Sequence, residues 1–284
     1  DPDCQITFDQ TKSKFLGIGW DQRSDSLMVP VETAIETLTT NAKTKRSLLK
    51  ATASIFDILG FISPATIRAK ILLQSLWKQK ISWDTELTGE NLDKFTEVVD
   101  TLKTARDVRL QRNINTAARD VVRELHVFCD SSLSALGCVV YIREVSKDNG
   151  ARVYFIASKA RVVPLKSKYS IHKLELVGAV LGSRIANKVK QYLNFQFDST
   201  CFWCDNSPTL HWINDSPERL KTFVANRVRE IQSMTPPSDW SYVPTEDNPV
   251  DILSRGASLD TKEIRSKWFQ GPQWLKGSDR PTAK

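Results

Sequence analysis

The pattern of apolar and polar positions changes along the chain and divides it into four segments. In residues 1–40, short apolar runs lie on both sides of a polar turn at 21–26, which predicts a β-hairpin. In residues 41–118, apolar side chains recur at intervals of three and four, which predicts a small helical module. Short β-branched and aromatic runs alternate with helical spacing in residues 119–258, and we interpret residues 259–284 as a C-terminal tail or linker.

Three helices are expected in the helical segment. The first would run from residue 44 to Gly60, because glycine can adopt the left-handed conformation that ends many helices. The second would begin with Ser63 as N-cap and Pro64 in the first turn, and the third would span residues 88–105. The second helix has a basic face, which either contacts phosphate or is simply solvated. Its members are Arg68, Lys70, Lys78 and Lys80.

The segment after the helices has the alternation of an α/β domain. A polar stretch at 109–115 is expected to be a linker, and strands and helices then follow in mixed order, which predicts a mixed sheet. The expected strands are residues 125–129, 136–142, 153–157, 201–204 and 240–243, and the expected helices are residues 174–193, 207–213 and 223–234.

Composition narrows the class of protein. With 40% hydrophobic and 26% charged residues over 284 positions, the chain is expected to be soluble and globular. Apolar runs fall well short of the roughly 20 residues that a bilayer span needs, which argues against a membrane protein. The net charge of +7 fits a polyanionic partner but is equally compatible with a role in solubility alone.

Cysteine usage and the first residue bear on compartment and origin. Five cysteines in no regular framework, without a secretory signal before them, favour a reducing, intracellular environment. The chain begins with Asp1 rather than methionine, so we expect it to be a piece of a longer polyprotein or the product of a partial gene model.

Four carboxylates stand apart from the solvated acids of the chain. Asp130 and Asp205 each close an apolar strand, Glu175 lies in the apolar start of a helix, and Asp251 follows residues 248–250. Buried carboxylates are costly unless they are paired or bind a cation. Converging carboxylates select Mg²⁺ or Mn²⁺, the ions that catalyse phosphodiester cleavage. The alternative is a set of separate turn and capping residues, with Asp251 as a helix N-cap.

The four acids and their surroundings resemble a known family. Residues 121–256 resemble a retroelement ribonuclease H domain, in which acids follow the order Asp, Glu, Asp, Asp. Residues 167–175 are similar to the segment leading into the family's first long helix, and residues 243–256 to its C-terminal motif. The resemblance implies a ribonuclease H-like α/β fold, with a mixed five-stranded sheet and flanking helices after a small, mainly helical module.

Other segments resemble a narrower group. Residues 44–73, 221–228 and 271–275 are similar to the Pol polyproteins of BEL/Pao LTR retrotransposons. By that likeness, residues 1–40 are the end of a reverse transcriptase palm and residues 41–118 its thumb and connection. The polymerase motif Tyr-x-Asp-Asp does not occur in the sequence. The implied partners are the palm and fingers upstream and an integrase downstream, in an intracellular, cytoplasmic virus-like particle or the nucleus.

The resemblance also implies a reaction and roles for the acids. The expected activity is endonucleolytic hydrolysis of the RNA strand of RNA·DNA hybrids with two Mg²⁺ or Mn²⁺ ions. Asp130 is similar to the acid that bridges both ions, and Glu175 and Asp205 to ligands on the leaving-group side. Asp251 would hold the ion that carries the attacking water.

Three further residues are candidates for contacts with nucleic acid. Ser132 and Asn206 follow the two strand-end aspartates and would bond the RNA strand, although a turn role is equally open for each. Arg255 would meet phosphate. Basic residues on the helix at 64–80 and in residues 219–229 would track the backbones of the hybrid.

Two alternatives to a nuclease come from other classes of protein. An aspartic peptidase, a label carried by related sequences, needs Asp-Thr/Ser-Gly loops, and Asp130-Ser131-Ser132 lacks the glycine. Asp57 is expected to be a surface acid within a helix. A catalytically inactive nucleic-acid-binding segment of a degenerate element remains open.

Cysteine and tryptophan residues are expected to serve in packing. Cys201 and Cys204 have CxxC spacing, but on a strand they lack the second pair that a zinc site needs. The tryptophans expected in the core are Trp203, Trp212, Trp240, Trp268 and Trp274.

Overall fold

A computed structural model describes residues 12–114, 121–146, 150–166, 169–193 and 196–277, with the backbone alone at 12–15. Parts of the expected hairpin segment, linker and tail fall outside these ranges. Residues 167 and 168 of the motif that resembles the ribonuclease H family also fall outside them.

The N-terminal segment forms a small antiparallel sheet rather than a single hairpin. Its strands pair in the order β1 to β4, and β4 lies in the stretch expected to be a linker. The linker prediction is therefore wrong at residues 110–111, where Leu110 pairs with Leu27. The strands are β1 Lys12–Phe15, β2 Ile18–Asp21, β3 Ser26–Met28 and β4 Leu110–Gln111.

Four helices follow in the N-terminal half of the described chain. The first was not expected, although its Ala34, Ile35 and Leu38 have helical spacing and are buried. The third begins at Ser63 itself, so Ser63 is its first residue and not its N-cap. The helices are α1 Glu32–Thr40, α2 Lys45–Ala53, α3 Ser63–Lys78 and α4 Gly89–Ala105.

Helix α2 ends earlier than its apolar spacing predicts. It stops at Ala53, and residues 54–60 form a loop. The Asp57 carboxylate accepts hydrogen bonds from the amides of Phe61 (3.0 Å) and Ile62 (2.9 Å), which stabilises the loop just before α3. Asp57 is thus a half-buried loop acid, and burial raises its pKa to about 6. The prediction of a helix-surface acid is wrong.

The larger sheet of the described residues contains five strands in the order β7-β6-β5-β8-β9. The first three strands along the chain pair antiparallel, whereas β5–β8 and β8–β9 pair parallel. Together with its helices, this is the ribonuclease H-like arrangement, so the predicted fold class is confirmed. The strands are β5 Val121–Ser131, β6 Ala135–Ser146, β7 Gly150–Val162, β8 Ser199–Cys204 and β9 Trp240–Tyr242.

Helices cover both faces of this sheet. Because strand side chains alternate, Val127 and Cys129 belong to the core under α5, while Phe128 belongs to the core on the other face. None of the helices in the described ranges has the length and apolar character that would let it cross a membrane. The helices of this half are α5 Ile171–Tyr192, α6 Ser207–Asn214, α7 Thr222–Met234, α8 Val250–Arg255 and α9 Lys262–Gln270.

The segment expected to be a tail or linker is part of the core from residue 259 to 277. Trp268 is 0% exposed, and its indole donates a hydrogen bond to the Phe61 carbonyl (2.8 Å). The Tyr141 hydroxyl donates in turn to the Trp268 carbonyl (2.6 Å). The expected tryptophans do pack: Trp203, Trp240 and Trp268 are buried, and Trp212 and Trp274 lie partly buried against the two cores.

A buried arginine fixes the end of that segment. Arg143 on β6 donates to the carbonyls of Leu275 (2.9 Å) and Gly277 (2.6 Å). Its charge is paired with Glu124 on β5 at 2.6 Å. A buried ion pair is tolerated when hydrogen bonds satisfy its remaining donors, and these carbonyls meet that condition.

The helical module docks on the outer strand of the sheet. The Ser158 amide donates to the Leu59 carbonyl (2.8 Å), and its hydroxyl donates to the Gly60 carbonyl (2.6 Å). Gly60 has a φ of +74°, and a Cβ built on it would lie 2.4 Å from the Ser158 carbonyl oxygen. Only glycine fits this close approach.

We expect Gly60→Ala to lower the free energy of unfolding by about 3 kcal/mol, because it adds a backbone clash to left-handed strain. Gly89→Ala is the matched control, since Gly89 also has a positive φ (+52°) but meets nothing within 4 Å. Gly89→Ala should lower the free energy of unfolding by about 1 kcal/mol. Urea unfolding measures both variants, and equal losses would contradict the docking role of Gly60.

Candidate active site

The two strand-end aspartates lie side by side. In the parallel ladder between β5 and β8, Cys129 is the partner of Cys204. Asp130 follows Cys129 on β5, and Asp205 directly follows Cys204 at the end of β8. Both acids therefore lie at the carboxyl edge of the sheet. The sequence prediction that these acids would be neighbours agrees with this pairing.

Glu175 reaches the same edge from helix α5. The helix approaches the sheet closely at two glycines: a Cβ on Gly178 would lie 3.0 Å from the Ser131 hydroxyl oxygen, and one on Gly182 would lie 2.4 Å from the Cys129 sulfur. Glu175 lies one turn before Gly178 and is 4% exposed. Its Oε2 atom has no hydrogen-bond partner among the described residues.

Burial and neighbouring carboxylates raise the pKa values of Glu175 and Asp130. Burial, followed by the charges of Asp130 and Asp205, raises the pKa of Glu175 to about 9. Burial also raises the pKa of Asp130 to about 6, with the charges of Asp205 and Asp251 adding to the effect and a hydrogen bond from Ser254 opposing it. The site therefore disfavours full ionisation unless positive charge is supplied.

The C-terminal motif holds these carboxylates in place. The Thr245 hydroxyl donates to Asp205 (2.8 Å), and the Ser254 hydroxyl donates to Asp130. The Asn248 amide donates to a carbonyl of β5 (2.9 Å), which fixes the motif to the strand that carries Asp130. Sequence reasoning missed Ser254 and Thr245, and the only signal for Ser254 was its position one turn after Asp251.

Asp251 lies on α8 at the margin of the site. Pro249 occupies the N-cap position of α8, so the alternative of Asp251 as a simple N-cap is wrong. The Asp251 carboxylate pairs with the Arg255 guanidinium at 2.7 Å. Their side chains are 26% and 69% exposed, and such a pair is weak enough for either group to exchange it for a ligand.

Ser132 and Asn206, the other two candidate residues, form hydrogen bonds that stabilise local structure. The Ser132 hydroxyl accepts from the Ala135 amide (3.0 Å) and donates to the Ser254 carbonyl (2.9 Å), as expected of a turn residue. Asn206 is the N-cap of α6, where its side-chain oxygen accepts from the Thr209 amide (3.1 Å). The turn role that the sequence left open is thus present for both.

A cysteine joins the acids. Among the described residues, the possible ligand atoms of Glu175, Cys204 and Asp205 lie within 4.8 Å of one another. The expectation of core packing holds for the burial of Cys204, but its sulfur also borders the carboxylates. In the sequence, the feature that indicated this proximity was the position of Cys204 immediately before Asp205. Cys201, the other half of the CxxC pair, is only partly buried.

These donors fit a divalent cation. The carboxylates of Asp130, Glu175 and Asp205 have raised pKa values, and one oxygen of Glu175 is buried without a hydrogen-bond partner among the described residues. A hard dication would satisfy that oxygen and lower the repulsion between the acids. Asp130, Glu175, Asp205 and Asp251 are the residues that could hold it.

A basic groove borders the site. It has a volume of about 530 Å³ and lies between helices α3 and α4 and the turn after β5. Part of the basic face predicted for the second helix therefore faces a groove rather than open solvent. The charged residues of its walls are Arg68, Lys78, Lys94, Arg255 and Glu97.

The second basic stretch is mostly engaged within the protein. Arg219 pairs with Asp215 at 3.2 Å, and the Arg227 guanidinium lies 3.5 Å from the centre of the Phe223 ring. In the groove, Lys94 likewise pairs with Glu90 at 2.6 Å and Arg255 with Asp251 at 2.7 Å. The groove differs from the second stretch because its Arg255 lies next to the acids.

The fold and the cluster of acids define a ribonuclease H-like domain. Residues 44–206, more than half of the chain, match the family described as Pao retrotransposon-like RNaseH-like domain. The chain belongs to this retrotransposon family. Among curated proteins none matches the chain.

Solved structures resemble the chain at low identity. The foamy viral protease-reverse transcriptase in complex with double-stranded DNA is 16% identical (TM-score 0.45), with coverage of 83% of this chain and 38% of that one. This chain therefore spans well under half of the viral protein.

One archaeal and one bacterial domain are also similar in structure to part of the chain. RNase H1 from the archaeon Halobacterium salinarum is 16% identical (TM-score 0.28), covering 44% of this chain and 89% of that one. The N-terminal RNase H domain of a Mycobacterium tuberculosis protein is 13% identical (TM-score 0.30), covering 52% and 99%. The strand order of the larger sheet and the family match, and not these low TM-scores, support the ribonuclease H-like fold.

We expect Glu175→Gln to flatten the pH dependence of stability in the presence of a chelator. Burial raises the pKa of Glu175 from 4.5 to about 9, so its neutral form favours the folded state. This contribution is full below pH 4.5 and is lost as the pH rises towards 9. The variant should therefore be more stable than the native chain at pH 8, as measured by urea unfolding.

The exposed Glu36→Gln is the control and should keep the native pH slope. If the free energy of unfolding of the native chain and of Glu175→Gln changed equally with pH, the result would contradict the buried position of this acid.

Proposed function

We propose that this chain is the thumb/connection and ribonuclease H part of a BEL/Pao-type Pol polyprotein and that it cleaves the RNA strand of RNA·DNA hybrids. The observation that carries the proposal is the buried, unpartnered Glu175 oxygen beside Asp205 at the edge where Asp130 also lies. An isolated carboxylate in such a place is costly, and a bound cation offsets the cost.

Asp130, Glu175, Asp205 and Asp251 would hold two Mg²⁺ or Mn²⁺ ions. When bound, such ions activate a water molecule and stabilise the leaving oxygen of a phosphodiester. The chain contributes the fixed positions of the acids. Hydrogen bonds hold Asp130 and Asp205 in their orientations, whereas Asp251 lies at the exposed margin, where the RNA strand has access.

The groove supplies affinity for the hybrid. Its lysines would contact backbone phosphates, and Arg255 would turn from Asp251 to a phosphate when the ions bind. Ser132 and Asn206, beside the acids, would contact the RNA strand, where 2′-hydroxyl groups distinguish RNA from DNA. The palm and fingers upstream and an integrase downstream would be the neighbouring parts of the polyprotein, in an intracellular particle.

We expect the purified chain with Mg²⁺ or Mn²⁺ to cut only the RNA strand of a labelled hybrid. Asp205→Asn keeps the side-chain size but removes a charged ligand, so it should lower the cleavage rate at least about 100-fold. The exposed Asp107→Asn is the matched control and should retain full activity.

A chelator should abolish cleavage by the native chain. If the folded native chain binds the hybrid without cutting it, the nuclease proposal fails and a binding segment without catalysis replaces it.

Removing two lysines from the groove should weaken binding of the hybrid through the loss of phosphate contacts. For the double variant Lys78→Ala/Lys94→Ala, we expect the slope of log affinity against log salt to become less negative by about 1 to 2. Fluorescence anisotropy with chelator present measures binding without cleavage. The control, Lys50→Ala/Lys188→Ala, removes two exposed lysines that do not line the groove, and an equal change there would refute the groove's role.

A further inference from the structure

Three cysteines lie side by side in the middle of the sheet. Cys129 on β5 is the partner of Cys138 on β6 and also of Cys204 on β8. All three are buried. Cys204 differs from the other two because it forms the cluster with Glu175 and Asp205 within 4.8 Å.

A thiol among carboxylates changes which cations a site prefers. Sulfur is a soft ligand that selects Zn²⁺ and similar ions, whereas carboxylates alone suit Mg²⁺ and Mn²⁺. The Cys204 sulfur makes two weak hydrogen bonds with the Asn206 backbone, accepting from the amide at 3.4 Å and donating to the carbonyl at 3.9 Å, and a metal ion can replace the second of these.

A second observation points to a ligand at the same place. The Oε2 atom of Glu175 is buried in a side chain that is only 4% exposed, and it lacks a hydrogen-bond partner among the described residues. An unpartnered carboxylate oxygen next to a thiol and a second carboxylate is a donor set that a cation would satisfy.

The spacing is compatible with a tetrahedral ion. Zinc lies about 2.3 Å from sulfur and about 2.0 Å from oxygen, which places two such ligands about 3.5 Å apart. The three ligand atoms lie within 4.8 Å of one another, so a contraction of at most about 1.3 Å would bring them to this spacing, with a water molecule as the fourth ligand.

We propose that Cys204, Glu175 and Asp205 form a mixed thiol–carboxylate site for a thiophilic divalent cation such as Zn²⁺. The sulfur–metal bond forms as the thiol proton leaves to solvent. Because Glu175 and Asp205 are shared with the proposed Mg²⁺ site, a thiophilic ion would exclude Mg²⁺ and inhibit cleavage. That inhibition rests on the proposed nuclease function, whereas the binding of the ion does not.

Cobalt provides a direct readout of the sulfur ligand. Titration of the purified, reduced chain with Co²⁺ should produce a near-ultraviolet thiolate-to-cobalt absorption that saturates at one equivalent and disappears when Zn²⁺ is added. Cys204→Ser should lose this absorption. Cys138→Ser is the matched control, because that thiol is equally buried but lies near Lys159 and Arg161 instead of the acids, and it should keep the absorption.

Two further measurements distinguish loss of the sulfur ligand from loss of the fold. Circular dichroism establishes whether Cys204→Ser remains folded. Glu175→Gln keeps the thiol, so it should weaken Co²⁺ binding at least about tenfold while retaining the sulfur absorption at saturation. Co²⁺ binding without the absorption, or an absorption that survives in folded Cys204→Ser, would overturn the proposal.

Cleavage assays separate this proposal from the nuclease proposal. In Mg²⁺, added Zn²⁺ should inhibit the native chain, and Cys204→Ser should require at least about tenfold more Zn²⁺ for the same inhibition. Sulfur absorption in a chain that never cuts the hybrid would support the thiol site and refute the nuclease. Cutting in Mg²⁺ without sulfur absorption would refute the thiol site alone.

Discussion

The carboxylates of Asp130 and Asp205 lie side by side because strands β5 and β8 pair in parallel in one register. Cys129 pairs with Cys204 in that ladder, so Asp130 and Asp205 must leave the sheet at the same edge. A slip of one residue would turn either aspartate to the other face of the sheet. Burial raises the pKa values of both acids, and the charge of Asp205 raises that of Asp130 further, so the register creates an electrostatic cost that a cation can offset.

The register in turn depends on filling both faces of the sheet. Helix α5 covers one face, and its close approach at Gly178 and Gly182 brings Glu175 to the strand ends. The other face is covered by α3, α8 and the C-terminal segment, whose Trp268 is wholly buried and whose last carbonyls bind Arg143. Without the C-terminal segment, part of the apolar surface of the second face would be exposed to water.

Between residues 121 and 242, the periodicity of apolar residues allowed the order of strands and helices to be predicted. The four acids could be singled out as a candidate site, because strand-end aspartates after apolar runs are a local signal. Other features arise from distant contacts. Helix α2 ends at Ala53 because the Asp57 side chain binds amides after the loop, and Trp268 is buried by strands more than a hundred residues away. The proximity of the Cys204 sulfur to Glu175 likewise depends on how α5 lies on the sheet, which no local pattern encodes.

The helical module and the sheet share one hydrophobic core, so the boundary predicted at residue 118 does not separate two independent cores. Arg68 on α3 binds the Thr101 hydroxyl and the Gly256 carbonyl, each at 3.3 Å, and thereby ties the end of α8 to the module. Because α8 carries Asp251, the position of this partly exposed acid depends on the helices that precede the sheet. The family match, which begins at residue 44, includes those helices. The module is therefore part of the structure that shapes the site, and not only a spacer before it.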